Sequence, residues 1–311
     1  RDWEQWSLDL GLRAEQTEVR ATSKNLGEVN NQYYFELFPK MSLLYSANEN
    51  NSFGLSYSRS IARPNYESLN PFRYFINENN YTDGNPNLVP EIDSKYTFSY
   101  THNNTWFLEA YYWHIKNPLE ELRFQNNTIR ALQNLETNLI KGYQYSLDVT
   151  YAKSVTSWWY LQVVTSGFFI ENEFLAQQSA QQTALANTYG FYGQIYSGLV
   201  LSEQANITSD VTALYISNLI FGSYTYKNRF NLSASVRKKI WDKKASITIG
   251  VDDIFNTNNI PVVSRYANQD NGYFARTESR LFRVGFTYNF GNSKLRDNNR
   301  EITTKESDRL N

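Results

Sequence analysis

Apolar and polar residues alternate at every second position in run after run of this chain, and helical spacing is scarce. Trp6, Leu8, Leu10 and Leu12 alternate with Ser7, Asp9, Gly11 and Arg13. Phe53, Leu55 and Tyr57 alternate with Gly54, Ser56 and Ser58, and Tyr143, Tyr145, Leu147, Val149 and Tyr151 with Gln144, Ser146, Asp148 and Thr150. The last run sets Phe282, Val284, Phe286, Tyr288 and Phe290 against Arg283, Gly285, Thr287 and Asn289. A period of two belongs to strands with one apolar face, and roughly twelve such runs can be placed. The run from Tyr33 to Tyr45 is long for a soluble strand and is expected to bend or bulge at Pro39.

The connections alternate as well. Short polar turns fall at Ala47–Asn51, His102–Thr105, Lys153–Ser157, Glu203–Asn206 and Trp241–Lys244. Between them lie longer segments read as loops, at Thr22–Asn30, Pro64–Pro90, Phe124–Asn138, Asn172–Tyr189 and Asn256–Thr277, with a shorter one near Phe221–Lys227. Short turns at one end and long connections at the other are the asymmetry of a transmembrane β-barrel. The pattern therefore predicts an all-β antiparallel transmembrane barrel whose apolar strand faces look at lipid. A large soluble β-sandwich or propeller is the bland alternative.

Composition agrees. Mean hydropathy is only −0.58, and no apolar run is long enough for a membrane helix, but barrels need none, because half of each strand faces the lumen. The 24 tyrosines and 19 phenylalanines among 311 residues fit the aromatic belts of a barrel at both interfaces. A net charge of −1 argues against nucleic acid as a partner. There is no cysteine and only two histidines, His102 and His114, so thiolate or histidine metal sites and other cofactors are not expected. Glu120-Glu121 and Asp252-Asp253 are adjacent pairs, which a strand points to opposite faces; neither can flank one bond, and Glu120 and Glu121 are read as solvated at the start of a loop. No ordered triad or phosphate cradle is found, and no enzymatic activity is expected.

Three stretches carry a resemblance. Arg63-Pro64, Leu69-Asn70-Pro71-Phe72 and Gly84-Asn85-Pro86-Asn87-Leu88-Val89-Pro90-Glu91 resemble a sequence found midway through TonB-dependent outer-membrane receptors. The fullest similarity is to the outer-membrane β-barrel family of Bacteroidota-type bacteria. Val251–Asn259 resembles the penultimate-strand motif of such receptors, departing from it at Asp253-Ile254. Arg283-x-Gly285-x-x-Tyr288-x-Phe290 resembles the signal by which the barrel-assembly machinery recognises a last strand, with Gly285 read as allowing close backbone approach.

The resemblance implies a barrel of about 22 strands around a plug, of which this chain supplies about twelve C-terminal strands. Residues 1–291 would be barrel and 292–311 a polar periplasmic tail. It implies an outer-membrane importer of a scarce nutrient (a siderophore, vitamin, oligosaccharide or peptide), powered through TonB by an N-terminal region. The chain, opening on Arg1-Asp2-Trp3 without a leader, is read as a piece of something longer. Expected partners are the lipid bilayer, the TonB complex, the barrel-assembly machinery and the nutrient. Tyr66, Phe72, Arg73, Tyr74 and Tyr81 form an aromatic and guanidinium set suited to stacking on a ligand, although packing of the segment on itself is the favoured reading. Gly285, Tyr288 and Phe290 are the expected assembly signal. The rival functions are a self-contained smaller barrel acting as a channel, and a barrel serving adhesion or assembly without import.

Overall fold

The computed structural model describes residues 1–23, 28–177, 179–180 and 182–290. The expected tail, 292–311, lies outside the described residues. The chain opens with β1 (Trp6–Ser23), β2 (Glu28–Asn48) and β3 (Asn51–Ala62), then a helical turn, α1 (Tyr66–Leu69), and a hairpin, β4 (Arg73–Asn77) and β5 (Asn80–Asp83). Next come β6 (Glu91–His102) and β7 (Trp106–Lys116), the hairpin β8 (Leu119–Asn126) and β9 (Ala131–Asn138), and four strands, β10 (Lys141–Ser154), β11 (Trp159–Ala176), β12 (Gln182–Ser202) and β13 (Ile207–Ile216). A small hairpin, β14 (Leu219–Phe221) and β15 (Tyr224–Tyr226), leads to β16 (Arg229–Ile240) and β17 (Ala245–Asp252). The hairpin β18 (Ile260–Tyr266) and β19 (Gln269–Ala275) precedes β20 (Leu281–Tyr288).

Twelve of these strands form one sheet in the order β1-β2-β3-β6-β7-β10-β11-β12-β13-β16-β17-β20, and they match the twelve alternating runs one for one. Neighbours are antiparallel throughout, and β1 and β20 are the two edges. Tight turns close one end; at Asn103 and Asn104 φ is +52° and +49°, the left-handed pair of a two-residue hairpin turn, which asparagine tolerates well. The bend expected at Pro39 is not there. β2 runs unbroken through it, with Leu12 opposite Pro39, and the irregularity lies at Ser46/Asn48. Pairing of β2 with β3 stops at Lys40, so Pro39 has one strand neighbour only, and edge positions tolerate proline.

Register carries the alternation from strand to strand. Tyr57, Tyr96, Tyr112, Tyr145, Phe169 and Tyr189 are successive cross-strand partners on one face. Their rings make a ladder with centroids 4.6 to 6.3 Å apart. Nearer the tight turns Trp6, Tyr45, Phe53 and Tyr100 make a second ladder, with centroids 4.3, 6.4 and 4.8 Å apart. The opposite face is polar: Ser42, Ser56, Thr97, Tyr111, Ser146 and Ser166 are successive partners, and Ser146 Oγ donates to Asp148 at 2.6 Å. A one-residue slip would exchange the two faces, so this segregation fixes the register.

The sheet is a single layer, so its apolar face buries little. Phe282, Val284 and Phe286 are 69%, 66% and 59% exposed, with Arg283 on the other face, its guanidinium 2.7 Å from Asp252. β20 ends at Tyr288, and Phe290 lies just beyond it, its ring 4.6 Å from that of Tyr288. Open space lies where a Cβ on Gly285 would project, so close approach within this chain does not explain that glycine.

The core sits at the other end. The connections read as loops are folded: β4–β5 and β8–β9 form one four-stranded sheet and β14–β15 and β18–β19 another. Most of Asn172–Tyr189 is strand, because β11 and β12 continue as 18- and 21-residue strands, well past the 9–11 residues that a tilted strand needs to cross a bilayer. Leu122, Phe124, Leu135, Leu139 and Phe174 cluster there, with Ala184, Ala186 and Tyr266 packed against them. Each such side chain contributes about 1.5–3 kcal/mol by leaving water. This crown is therefore a packed body held above the sheet.

Candidate functional site

Arg63, Pro64 and the segment up to Glu91 begin the crown, and several of their polar groups hold it together. A Cβ on Gly84 would lie 1.7 Å from the Asn70 carbonyl oxygen, so only glycine fits where the two strands of chain cross. Asn85 N–H donates to the Ser68 carbonyl at 2.6 Å and its Nδ2 to the Glu136 carbonyl at 3.2 Å. Gln32 Nε2 donates to the Leu88 carbonyl at 2.6 Å, and Leu88 is fully buried. Asn138 clasps Val89 from both sides, accepting from its N–H at 2.8 Å and donating to its carbonyl at 2.9 Å. Arg63 pairs with Glu15 at 2.6 Å.

The aromatic set singled out in the sequence is split by the fold. Arg73 makes a two-pronged ion pair with Asp83, at 2.7 and 2.8 Å, and its guanidinium lies 4.0 Å from the centre of the Tyr81 ring. Gln133 Nε2 donates to the same carboxylate at 2.9 Å. Tyr81 is buried, while Tyr66, Phe72 and Tyr74 are 91%, 50% and 60% exposed. Arg73 and Tyr81 thus serve each other and the hairpin, and Tyr66, Phe72 and Tyr74 remain free to meet something outside.

A second arginine is placed differently. On β8, Leu122 and Phe124 point into the crown core, so Arg123 projects from the opposite face. Its guanidinium lies 5.5 Å from the Tyr224 ring centre and 5.0 Å from that of Tyr273. Glu121 stands 3.8 Å away. Arg123 Nε is buried and makes no hydrogen bond, and neither does the neighbouring Asn271 Nδ2; Asn271 uses its oxygen to accept from Tyr224 at 3.2 Å. Those two atoms are closed off from the surface, but the Arg123 side chain as a whole is 31% exposed, so the open edge of its guanidinium beside two aromatic faces can take an acceptor-rich, flat ligand group. Burial pushes the Tyr226 hydroxyl up to about 12, and raises Tyr224 too, so these phenols stay protonated. Nothing in the sequence marks this cluster, because its members come from three hairpins up to 150 residues apart in a single extended platform.

The two crown sheets meet edge to edge through Gln125 and Gln269. Gln269 Oε1 accepts from the Gln125 N–H at 2.5 Å, and its Nε2 donates to the Gln125 carbonyl at 3.1 Å, so an amide side chain stands in for a strand. Glu120, read from the sequence as solvated, is half-buried. It lies on the core side of β8, and burial, followed by the charges of Glu91 and Glu136, pushes its carboxyl up to about 7. Glu91 accepts from the Leu119 N–H at 2.7 Å, and Glu136 accepts from Ser68. Asp252 and Asp253 also separate: Asp252 holds Arg283, while Asp253 is fully buried and accepts from Thr257 N–H and Asn258 N–H at 3.0 Å and from Ser279 at 2.5 Å. Among the described residues no cluster of metal-ligating side chains is present.

A wide antiparallel sheet with one aromatic apolar wall, one polar wall, tight turns at one end and a folded crown at the other defines a transmembrane β-barrel wall. Residues 1–288 match the Outer membrane protein beta-barrel family. The chain belongs to that family, and its place is the outer membrane, with the apolar wall against lipid and the crown at the end of the long connections. Among solved structures it is similar to the siderophore receptor PiuA from Acinetobacter baumannii, at 14% identity and a TM-score of 0.57, over 90% of this chain and 40% of that one. It is similar to the copper transporter OprC at 9% identity and a TM-score of 0.63, over 92% and 46%. The pyoverdine receptor FpvA from Pseudomonas aeruginosa, solved with pyoverdine bound, matches at 13% identity and a TM-score of 0.56, over 93% and 40%. The chain therefore spans less than half the length of these proteins. No curated protein matches it.

Proposed function

We propose that this chain is the C-terminal part of the barrel of a TonB-dependent importer that takes a scarce nutrient across the outer membrane, and that the crown is where the nutrient first binds. The observation that carries this reading is the crown itself. A passive pore needs no packed core above the bilayer, whereas a receptor needs rigid elements to hold ligand-contacting groups in place. Arg123, seated between Tyr224 and Tyr273 with only the loose Glu121 pair at 3.8 Å, is such a group. Likeness to siderophore and copper receptors supports the same reading, and the nutrient is one rich in acceptor oxygens, as chelates of metal ions are. The role is transport without catalysis, with energy supplied through TonB by other parts of the protein. Gly285, Tyr288 and Phe290 serve assembly, read by the barrel-assembly machinery.

The two arginines give the test. In the full-length protein, Arg123→Gln should weaken nutrient binding about tenfold or more, the loss expected for a charge-assisted contact. Arg73→Ala should leave affinity within about tenfold, since Asp83 and Tyr81 already occupy that guanidinium. Binding is measured by titration of folded protein. Equal losses, or a larger loss at Arg73, would place the ligand on the β4–β5 hairpin instead.

A further inference from the structure

We propose that the lipid-facing wall carries a seat for one phosphate-bearing lipid of the outer leaflet, with an acyl chain in a hollow floored by Ala110 and Gly167 and the phosphate at Lys116. The hollow measures about 920 Å³ and its lining is overwhelmingly apolar. Its cause is legible in the register. Phe98, Ala110, Leu147 and Gly167 are successive partners in one cross-strand row, and two of the four are small. The row above is the continuous ring ladder of Tyr96, Tyr112, Tyr145 and Phe169. A Cβ on Gly167 would meet nothing within 4 Å, so no packing partner within the chain demands the glycine. The missing volume opens toward the bilayer, where hydrocarbon is what can fill it.

The upper rim supplies the headgroup chemistry. Lys116 and Lys141 are direct cross-strand partners, and each lies four residues above a rim tyrosine, Tyr112 or Tyr145, on the same face. Four residues of strand rise about 13 Å, a span from the upper acyl region to the phosphate level. Like charges directly opposite destabilise a sheet unless an anion lies between or beside them. Glu173 compensates Lys141, at 2.9 Å. Glu171 shares the rim but faces Tyr143 in the register, not Lys116. Among the described carboxylates none pairs with Lys116, which is left with an ammonium at the water–lipid boundary, where basic side chains attract lipid phosphates.

The experiment uses the full-length protein extracted in a mild detergent and weighed by native mass spectrometry. One phosphate-bearing lipid should remain bound. The double variant Ala110→Leu, Gly167→Leu should lose it with no change in heat-modifiable folded yield, and Lys116→Gln should lower retention several-fold. Equal retention in the filled variant would overturn the seat, and retention of a lipid without phosphate would overturn the role of Lys116. Should the filled variant fail to fold, the wild type in bilayers made with an acyl-diazirine phospholipid decides the matter. Photoadducts should concentrate on the β7 and β11 stretches around Ala110 and Gly167, relative to the exposed Phe282 and Val284. Even labelling of both regions would overturn the proposal.

Discussion

At the scale of single residues, the fold separates side chains that the sequence places together. Glu120 and Glu121 are adjacent, yet only Glu120 turns toward the core, and its neutral form is the one that burial beside Glu91 and Glu136 favours. A carboxyl whose value is raised on folding adds stability that is complete below its ordinary value of 4.5 and is lost as pH rises through about 7. Hydrogen exchange of β8 and β9, corrected for intrinsic rates, should therefore show the crown loosening from about pH 5 to pH 7 and changing little above that. Glu120→Gln, neutral at every pH, should flatten that dependence; an unchanged dependence in the variant would assign it to another group. The sequence could not reveal this, because Glu91 and Glu136 reach Glu120 only once two separate connections have folded. Arg73 was visible as a candidate, but the partners that saturate it, Asp83 and Gln133, were not.

At the scale of elements, the twelve long strands were legible and the crown hairpins were not. The difference is physical. A strand with lipid on one side and polar groups on the other must alternate strictly, as in β20, and the alternation can be counted. The crown strands β8 and β9 pack on a core with one face and mix polar and apolar groups on the other, so Leu119–Asn138 shows no clean period. Length misled too, since β11 and β12 continue past the point where their aromatic rows end. The last strand offers a prediction of its own. Tyr288 meets Trp241, with centroids 6.0 Å apart, and Phe290 meets Tyr288, yet both Tyr288 and Phe290 lie at the margin of an edge strand with little packing to lose. If they serve recognition during assembly, Phe290→Ser should reduce the folded protein in the outer membrane and leave affinity per folded molecule unchanged. A normal folded yield with weakened binding would move Phe290 from assembly to the ligand route.

At the scale of the whole molecule, the membrane wall and the crown are built on opposite principles. The wall is one layer whose apolar face needs lipid, and the crown is a small packed body that needs only water around it. That division follows from the chain's alternation of tight turns with long connections, which was readable from Ala47 to Lys244 before any fold was known. What the connections do depends on contacts between hairpins far apart in sequence, such as the Gln125–Gln269 clasp, and these have no local signature. The central claim is energised import through a receptor whose outer end is this crown. The most direct measurement is nutrient accumulation by cells carrying the full-length protein, with TonB present or deleted, compared with binding at the cell surface. Import through such a receptor predicts equal surface binding in both strains and accumulation only where TonB is present. Accumulation that persists without TonB would make the barrel a passive channel, and would contradict the account.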